Sequence, residues 1–142
     1  MKVEHILSSK GADVFSVTET SKVSEAVEVL GAKNIGAVIV KDQAGKVNGI
    51  LSERDVVRQL RTEGPQLMDK PVMSCMTANP FTCEKSTTLD ELMATMTEKR
   101  IRHMPVVEGG KLVGVVSIGD IVKRKIETAE QEAANLRDYI AS

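Results

Sequence analysis

The chain carries one segment twice, and that duplication restricts it to folds made of two similar units. Gly49-Ile50-Leu51-Ser52-Glu53-Arg54-Asp55-Val56-Val57-Arg58 aligns with Gly114-Val115-Val116-Ser117-Ile118-Gly119-Asp120-Ile121-Val122-Lys123, with Asp55 and Asp120 65 positions apart. Closer to the amino terminus, Ile35–Val40 aligns with Ile101–Val106, and Phe15 with Phe81, at a spacing of 66. The lost residue falls in a turn, Asp42-Gln43-Ala44-Gly45 against Glu108-Gly109-Gly110. A length difference confined to a turn is what a structural repeat produces, because loops absorb insertions that packed elements do not.

Each unit reads as strand–helix–strand–strand–helix, an α/β class. Val14–Val17 is a short strand, echoed by Phe81–Cys83. Ser21–Lys33 is a helix with Val23, Ala26, Val27 and Leu30 on one face. Its twin, Thr88–Lys99, carries Leu89, Leu92, Met93 and Met96 there, and Thr88 with Glu91 predicts a capping box. Two strands joined by a glycine turn follow: Gly36–Lys41 with Val47–Leu51, and Met104–Val107 with Leu112–Val116. A helix then starts near Ser52 and near Ser117. The strands are nearly continuous Val and Ile runs, which require helices over them. The boundaries expected are 1–61 for the first unit with an amino-terminal helix, 62–79 for a linker with a short helix (Val72–Met76, mirrored by Val3–Leu7), 80–126 for the second unit and 127–142 for a helical extension.

Composition excludes several classes. Of 142 residues, 19 are basic and 20 acidic, so there is no bulk attraction toward nucleic acid or anionic lipid. Phe15, Phe81 and Tyr139 are the only Phe, Tyr or Trp side chains, too few for a base-stacking platform. The start, Met1-Lys2-Val3-Glu4-His5, has no signal-peptide pattern, and Ala37–Val40 is far too short an apolar run for the ~20 residues of a membrane helix. Cys75 and Cys83 lack metal-ligand or redox spacing and read as free thiols of a reducing, cytoplasmic compartment. No P-loop, zinc-protease or serine-elbow motif is present, which argues against an enzyme.

The duplicated Gly-h-h-Ser-x-x-Asp (h, apolar), inside two full-length repeats over roughly residues 10–126, resembles a tandem pair of CBS domains, a Bateman module of the small stand-alone bacterial kind. The resemblance implies two repeats packed with pseudo-twofold symmetry, two clefts between them, and an adenosine-containing ligand there: AMP, ADP, ATP, S-adenosylmethionine or an NAD-type dinucleotide. It also implies a homodimer and a regulatory role on an unknown target protein. One cleft would combine Val14, Phe15, Ile35, Gly36 and Ala37 with His103, Ser117 and Asp120. The other would combine Pro80, Phe81, Ile101, Arg102 and His103 with Ala37, Ser52, Arg54 and Asp55. The small Gly36 and Ala37 would leave room for the adenine ring.

The chemistry of these residues supports two readings that can coexist. Ser52 and Ser117 lie where strand passes into helix, beside unpaired amides and the positive end of the helix dipole, where phosphate binds well. Asp55 and Asp120 are pure acceptors when ionised and suit a ribose diol. Ser-x-x-Asp is equally a capping box that serves its own helix. Arg54 and Arg58 predict more phosphate in the Ser52/Asp55 cleft, and Arg100, Arg102 and His103 form the densest basic cluster. The methionines read as packing residues, and Phe15 and Phe81 as paired core positions near the clefts. Val122, Ile126, Ala129, Ala133, Leu136 and Ile140 recur at alternating spacings of four and three, a coiled-coil-like stripe. Cover could come from the body or from another subunit, and a subunit contact is favoured. A ligand-independent dimeric adaptor is the competing function.

Overall fold

The computed structural model describes residues Met1–Ser142. In the first repeat, β1 (Ser16–Thr18), α1 (Val23–Lys33), β2 (Ala37–Lys41), β3 (Val47–Ser52) and α2 (Glu53–Glu63) follow the expected order. β1 pairs parallel with β2 and β2 antiparallel with β3. A short strand within the linker, β4 (Thr77–Ala78), extends the sheet antiparallel to β3, giving the order β1-β2-β3-β4. In the second repeat, α3 (Leu89–Lys99) precedes β5 (His103–Glu108), β6 (Lys111–Ser117) and α4 (Ile118–Ala141). An amino-terminal helix, αN (Val3–Lys10), and two 3₁₀ turns (Gly64–Asp69, Val72–Ser74) complete the chain. No helix is long and apolar enough to cross a membrane.

The expected strand at Phe81–Cys83 shrinks to one parallel bridge, Cys83 with Val106. Its counterpart shows why. In the first repeat the Ile39 amide donates to the Phe15 carbonyl at 3.1 Å. The matching donor position in the second repeat is Pro105, which has no N–H. The ladder is therefore one rung short, and β5-β6 stands as a two-stranded sheet. The first strand itself starts later than expected, at Ser16, leaving Val14 and Phe15 outside it. Val27 and Met93, expected on apolar helix faces, are exposed, while Val23, Ala26, Leu30, Leu89, Leu92 and Met96 are buried as expected. The capping box at Thr88 is half formed: its hydroxyl accepts from the Glu91 amide at 3.1 Å, with no return bond from the Glu91 side chain.

Two cores form, one under each sheet, and the chain crosses between them. Val23, Ala26, Leu30, Val38, Val40, Leu51 and Val56 are joined by Leu67, Val72 and Cys75 of the linker. Leu89, Leu92, Met96, Met104, Val106, Val116 and Ile121 are joined by Val3, Ile6 and Leu7. αN, contiguous in sequence with the first repeat, thus packs in the core of the second. The backbone repeats the same tie at both places: Val3 donates to Thr87 O at 2.9 Å, and Val72 to Ser21 O at 2.7 Å.

The glycine of each duplicated motif makes this seating possible. A Cβ at Gly49 would stand 2.5 Å from Met76 Sδ and 2.8 Å from the Thr77 carbonyl oxygen. A Cβ at Gly114 would stand 2.7 Å from Leu7 Cδ2. Both glycines are there because a neighbouring segment lies directly on the strand.

Candidate functional site

Each duplicated Ser-x-x-Asp is a complete capping box. Ser52 Oγ accepts from the Asp55 amide at 3.2 Å, and Asp55 Oδ2 accepts from the Ser52 amide at 3.0 Å and from Ser52 Oγ at 3.1 Å. Ser117 Oγ accepts from the Asp120 amide at 3.2 Å, and Asp120 Oδ2 accepts from the Ser117 amide at 2.8 Å. One oxygen of each carboxylate thus serves its own helix. The other is less committed. Asp55 Oδ1 has only Thr77 Oγ1 at 3.5 Å and Arg58 Nη1 at 3.7 Å, both long for a hydrogen bond.

The helix starts offer fewer amides than expected. Glu53 N donates to Gly36 O at 3.0 Å, and Ile118 N to Arg102 O at 2.8 Å. With Asp55 N and Asp120 N held by their serines, Arg54 and Gly119 supply the remaining first-turn amides. An anion here depends mainly on side-chain cations.

Two clefts open between the repeats. The first, of about 370 Å³, is lined by Pro80, Phe81, Ile101, Arg102 and His103 from the second repeat and by Ser52, Arg54 and Asp55 from the first. Gly36 reaches it, whereas Ala37, expected on both clefts, does not. Arg58, Arg100, Thr77 and Asn79 also line it. The second, of about 460 Å³, gathers all eight residues expected there: Val14, Phe15, Ile35, Gly36, Ala37, His103, Ser117 and Asp120. Lys10, Gly11, Asp13, Asn34 and Val115 complete its wall. Both volumes lie in the range of small-molecule sites.

Their charges differ. The first cleft sets Arg54, Arg58, Arg100 and Arg102 against Glu53 and Asp55. The second has Lys10 against Asp13 and Asp120. Lys10 Nζ donates to Asp120 Oδ2 at 2.8 Å and to the Val115 carbonyl at 2.9 Å. Sequence reasoning missed Lys10 because it lies outside the duplicated motifs and meets Asp120 only through the crossing of αN.

His103 and Gly36 line both clefts and form the partition between them. A Cβ at Gly36 would stand 3.1 Å from His103 Nε2, so the missing side chain makes room for the imidazole. Burial holds the His103 pKa below its usual value of 6.5; Asp120 and Glu53 oppose the shift, and Lys10 and Arg102 add to it. Phe15 and Phe81, expected as paired core positions near the clefts, line one cleft each, with Lys33 Nζ 5.2 Å and Lys99 Nζ 5.3 Å from their respective ring centres.

Comparison with known proteins agrees with this architecture. The family model for the CBS domain matches residues 3–62 and again 68–127. A CBS-domain-containing protein of Agrobacterium tumefaciens superposes with a TM-score of 0.85 at 42% identity, over 87% of this chain and 92% of that one. A CBS-domain protein of Pyrobaculum aerophilum, solved in complex with AMP, gives 0.76 at 25% identity over 84% and 89%. The CBS domain pair of protein MJ0100, solved with 5'-methylthioadenosine and S-adenosyl-L-methionine, gives 0.77 at 25% identity over 87% and 98%. The two matches together span most of the chain and coincide with its two motif-bearing repeats, so the chain belongs to the CBS-domain family as a tandem pair.

Proposed function

We propose that this protein is a regulatory module that binds adenosine-containing ligands in its two inter-repeat clefts and acts on a target protein, as a homodimer, through a change in module or dimer geometry. The observation that carries the reading is the pair of clefts themselves. Each is walled by both repeats, so a ligand there touches both and can bias their relative position. A ligand transmits a signal only as far as it binds two geometries unequally. The ligands recorded for the Pyrobaculum protein and for MJ0100 share an adenosine moiety, which fits a half-apolar cleft with one carboxylate oxygen free for a ribose diol.

Charge divides the ligand classes between the clefts. Four arginines favour a ligand with one or more phosphates in the first, by bidentate contact. The second, with Asp13 and Asp120 against Lys10, favours an adenosyl compound with little or no negative charge.

Thermal shift against AMP, ADP, ATP, NAD, 5'-methylthioadenosine and S-adenosylmethionine tests this. At ~100 times the dissociation constant, a selective ligand adds about 2.7 kcal/mol of stability. Asp55→Asn keeps an acceptor for the cap but replaces the other oxygen by a donor, and so does Asp120→Asn. Each is expected to weaken a different ligand by roughly ten- to a hundredfold in calorimetric titration. Unchanged binding in both variants sinks the ribose assignment. No ligand for the unmodified chain leaves a ligand-independent adaptor.

A further inference from the structure

Helix α4 runs for 24 residues, and its family-matched portion ends at residue 127. Past that point the body no longer covers it. Ala134 is the one residue of 128–141 that is even half-buried. A free half-helix of this length is marginal in water unless an apolar face is covered. The face is present: Val122 is 49% exposed, Ile126 53%, Leu136 59% and Ile140 75%, with exposed Ala129 and Ala133 between them. Val122 follows the buried Ile121 by one residue, about 100° around the helix, so the stripe points beside the body rather than into it.

The stripe has a heptad register. Ile126, Ala133 and Ile140 take one seam position (a), and Val122, Ala129 and Leu136 the other (d). Ile at a with Leu at d favours two parallel strands. The flanking charges decide the orientation. In a parallel, in-register pair, Lys125 faces Glu130 of the other copy and Glu132 faces Arg137, so both kinds of contact are attractive. An antiparallel pair would place Glu130 against Glu130, Glu132 against Glu132 and Lys123 against Arg137, all repulsive. In the single chain Lys125 instead holds the exposed Asp90, at 2.7 Å, a contact that exchanges readily.

We infer that the uncovered face of α4 binds the same face of a second copy of this chain as a parallel, in-register two-stranded coiled coil. This goes beyond the nucleotide reading and does not depend on it. The pairing places the two carboxy termini together and sets the two modules on opposite sides of the seam.

Cysteine cross-linking and charge exchange test it on the full-length protein. Cys75 and Cys83 are buried, so they add little background under mild oxidation. Leu136→Cys is expected to give a covalent dimer rapidly. In an antiparallel pair two such cysteines would lie about 15 Å apart, each opposite Ile126. By sedimentation equilibrium, Glu132→Lys and Arg137→Glu are each expected to raise the dimer dissociation constant about three- to tenfold, and the combined variant to restore it. Cross-linking that requires Ile126→Cys mixed with Leu136→Cys overturns the orientation. A monomer at high concentration, or a dimer that Leu136→Cys does not trap, overturns the interface.

Discussion

At the scale of single residues, the site rests on groups that do two jobs. Asp55 is only 6% exposed, yet it lines the first cleft while its Oδ2 caps its own helix. His103 is a partition, and its protonation is linked to folding. Its folded pKa lies below 6.5, so the unfolded chain takes up a proton more readily than the folded one. Its contribution to stability is therefore complete above pH 6.5 and declines as pH falls through that value toward the folded pKa. Urea midpoints between pH 5 and 8 should fall toward acid more steeply for the unmodified protein than for His103→Gln. Equal slopes would show that the buried imidazole is not the titrating group. The two Ser-x-x-Asp motifs were legible from the duplication, whereas the cleft memberships followed from the family resemblance, and fourteen of the fifteen residues it singled out line every cleft assigned to them. Ala37 failed at the first cleft because a resemblance carries positions over by motif and does not record which of two adjacent small residues, Gly36 or Ala37, reaches a given cleft.

At the scale of elements, the repeats are alike in sequence but differ where a single backbone donor is missing. Pro105 was visible in the sequence, yet its consequence depends on the pairing of Ile39 with Phe15, which only the three-dimensional register shows. The two motif glycines differ in a similar way. At Gly49 an added methyl meets a backbone carbonyl as well as Met76, whereas at Gly114 it meets only the branched end of Leu7. A side-chain end can move aside, but a strand carbonyl moves only with its sheet. Gly49→Ala should therefore cost about 1–3 kcal/mol, the usual range for overpacking, and Gly114→Ala less. Denaturant titration of both variants measures the order directly, and the reverse order would mean that Leu7 has no room to yield. The apolar helix faces were read one residue too wide, at Val27 and Met93, because a stripe in sequence does not record the width of the sheet beneath it.

At the scale of the whole molecule, the decisive feature is the crossing of αN, and contiguity in sequence hid it. Val3, Ile6 and Leu7 precede the first strand of the first repeat but fill the core of the second, and Lys10 at the end of the same helix reaches Asp120 in the second cleft. The two repeats are thereby interlocked, and a perturbation at residue 7 has a predictable address. Leu7→Ala removes a buried side chain that lies against Gly114, and should cost about 2–5 kcal/mol. The loss should also be local. Amide hydrogen exchange read by mass spectrometry ought to show β5 and β6 losing protection while β2 and β3, whose core is closed by Leu67 and Val72, keep theirs. If the first sheet opens instead, or both open together in proportion, αN does not belong to the second core alone. The same crossing makes Lys10 a link between fold and ligand: it holds its place in the second cleft only while Leu7 is seated, so loosening the helix would disturb that cleft before it disturbed the first.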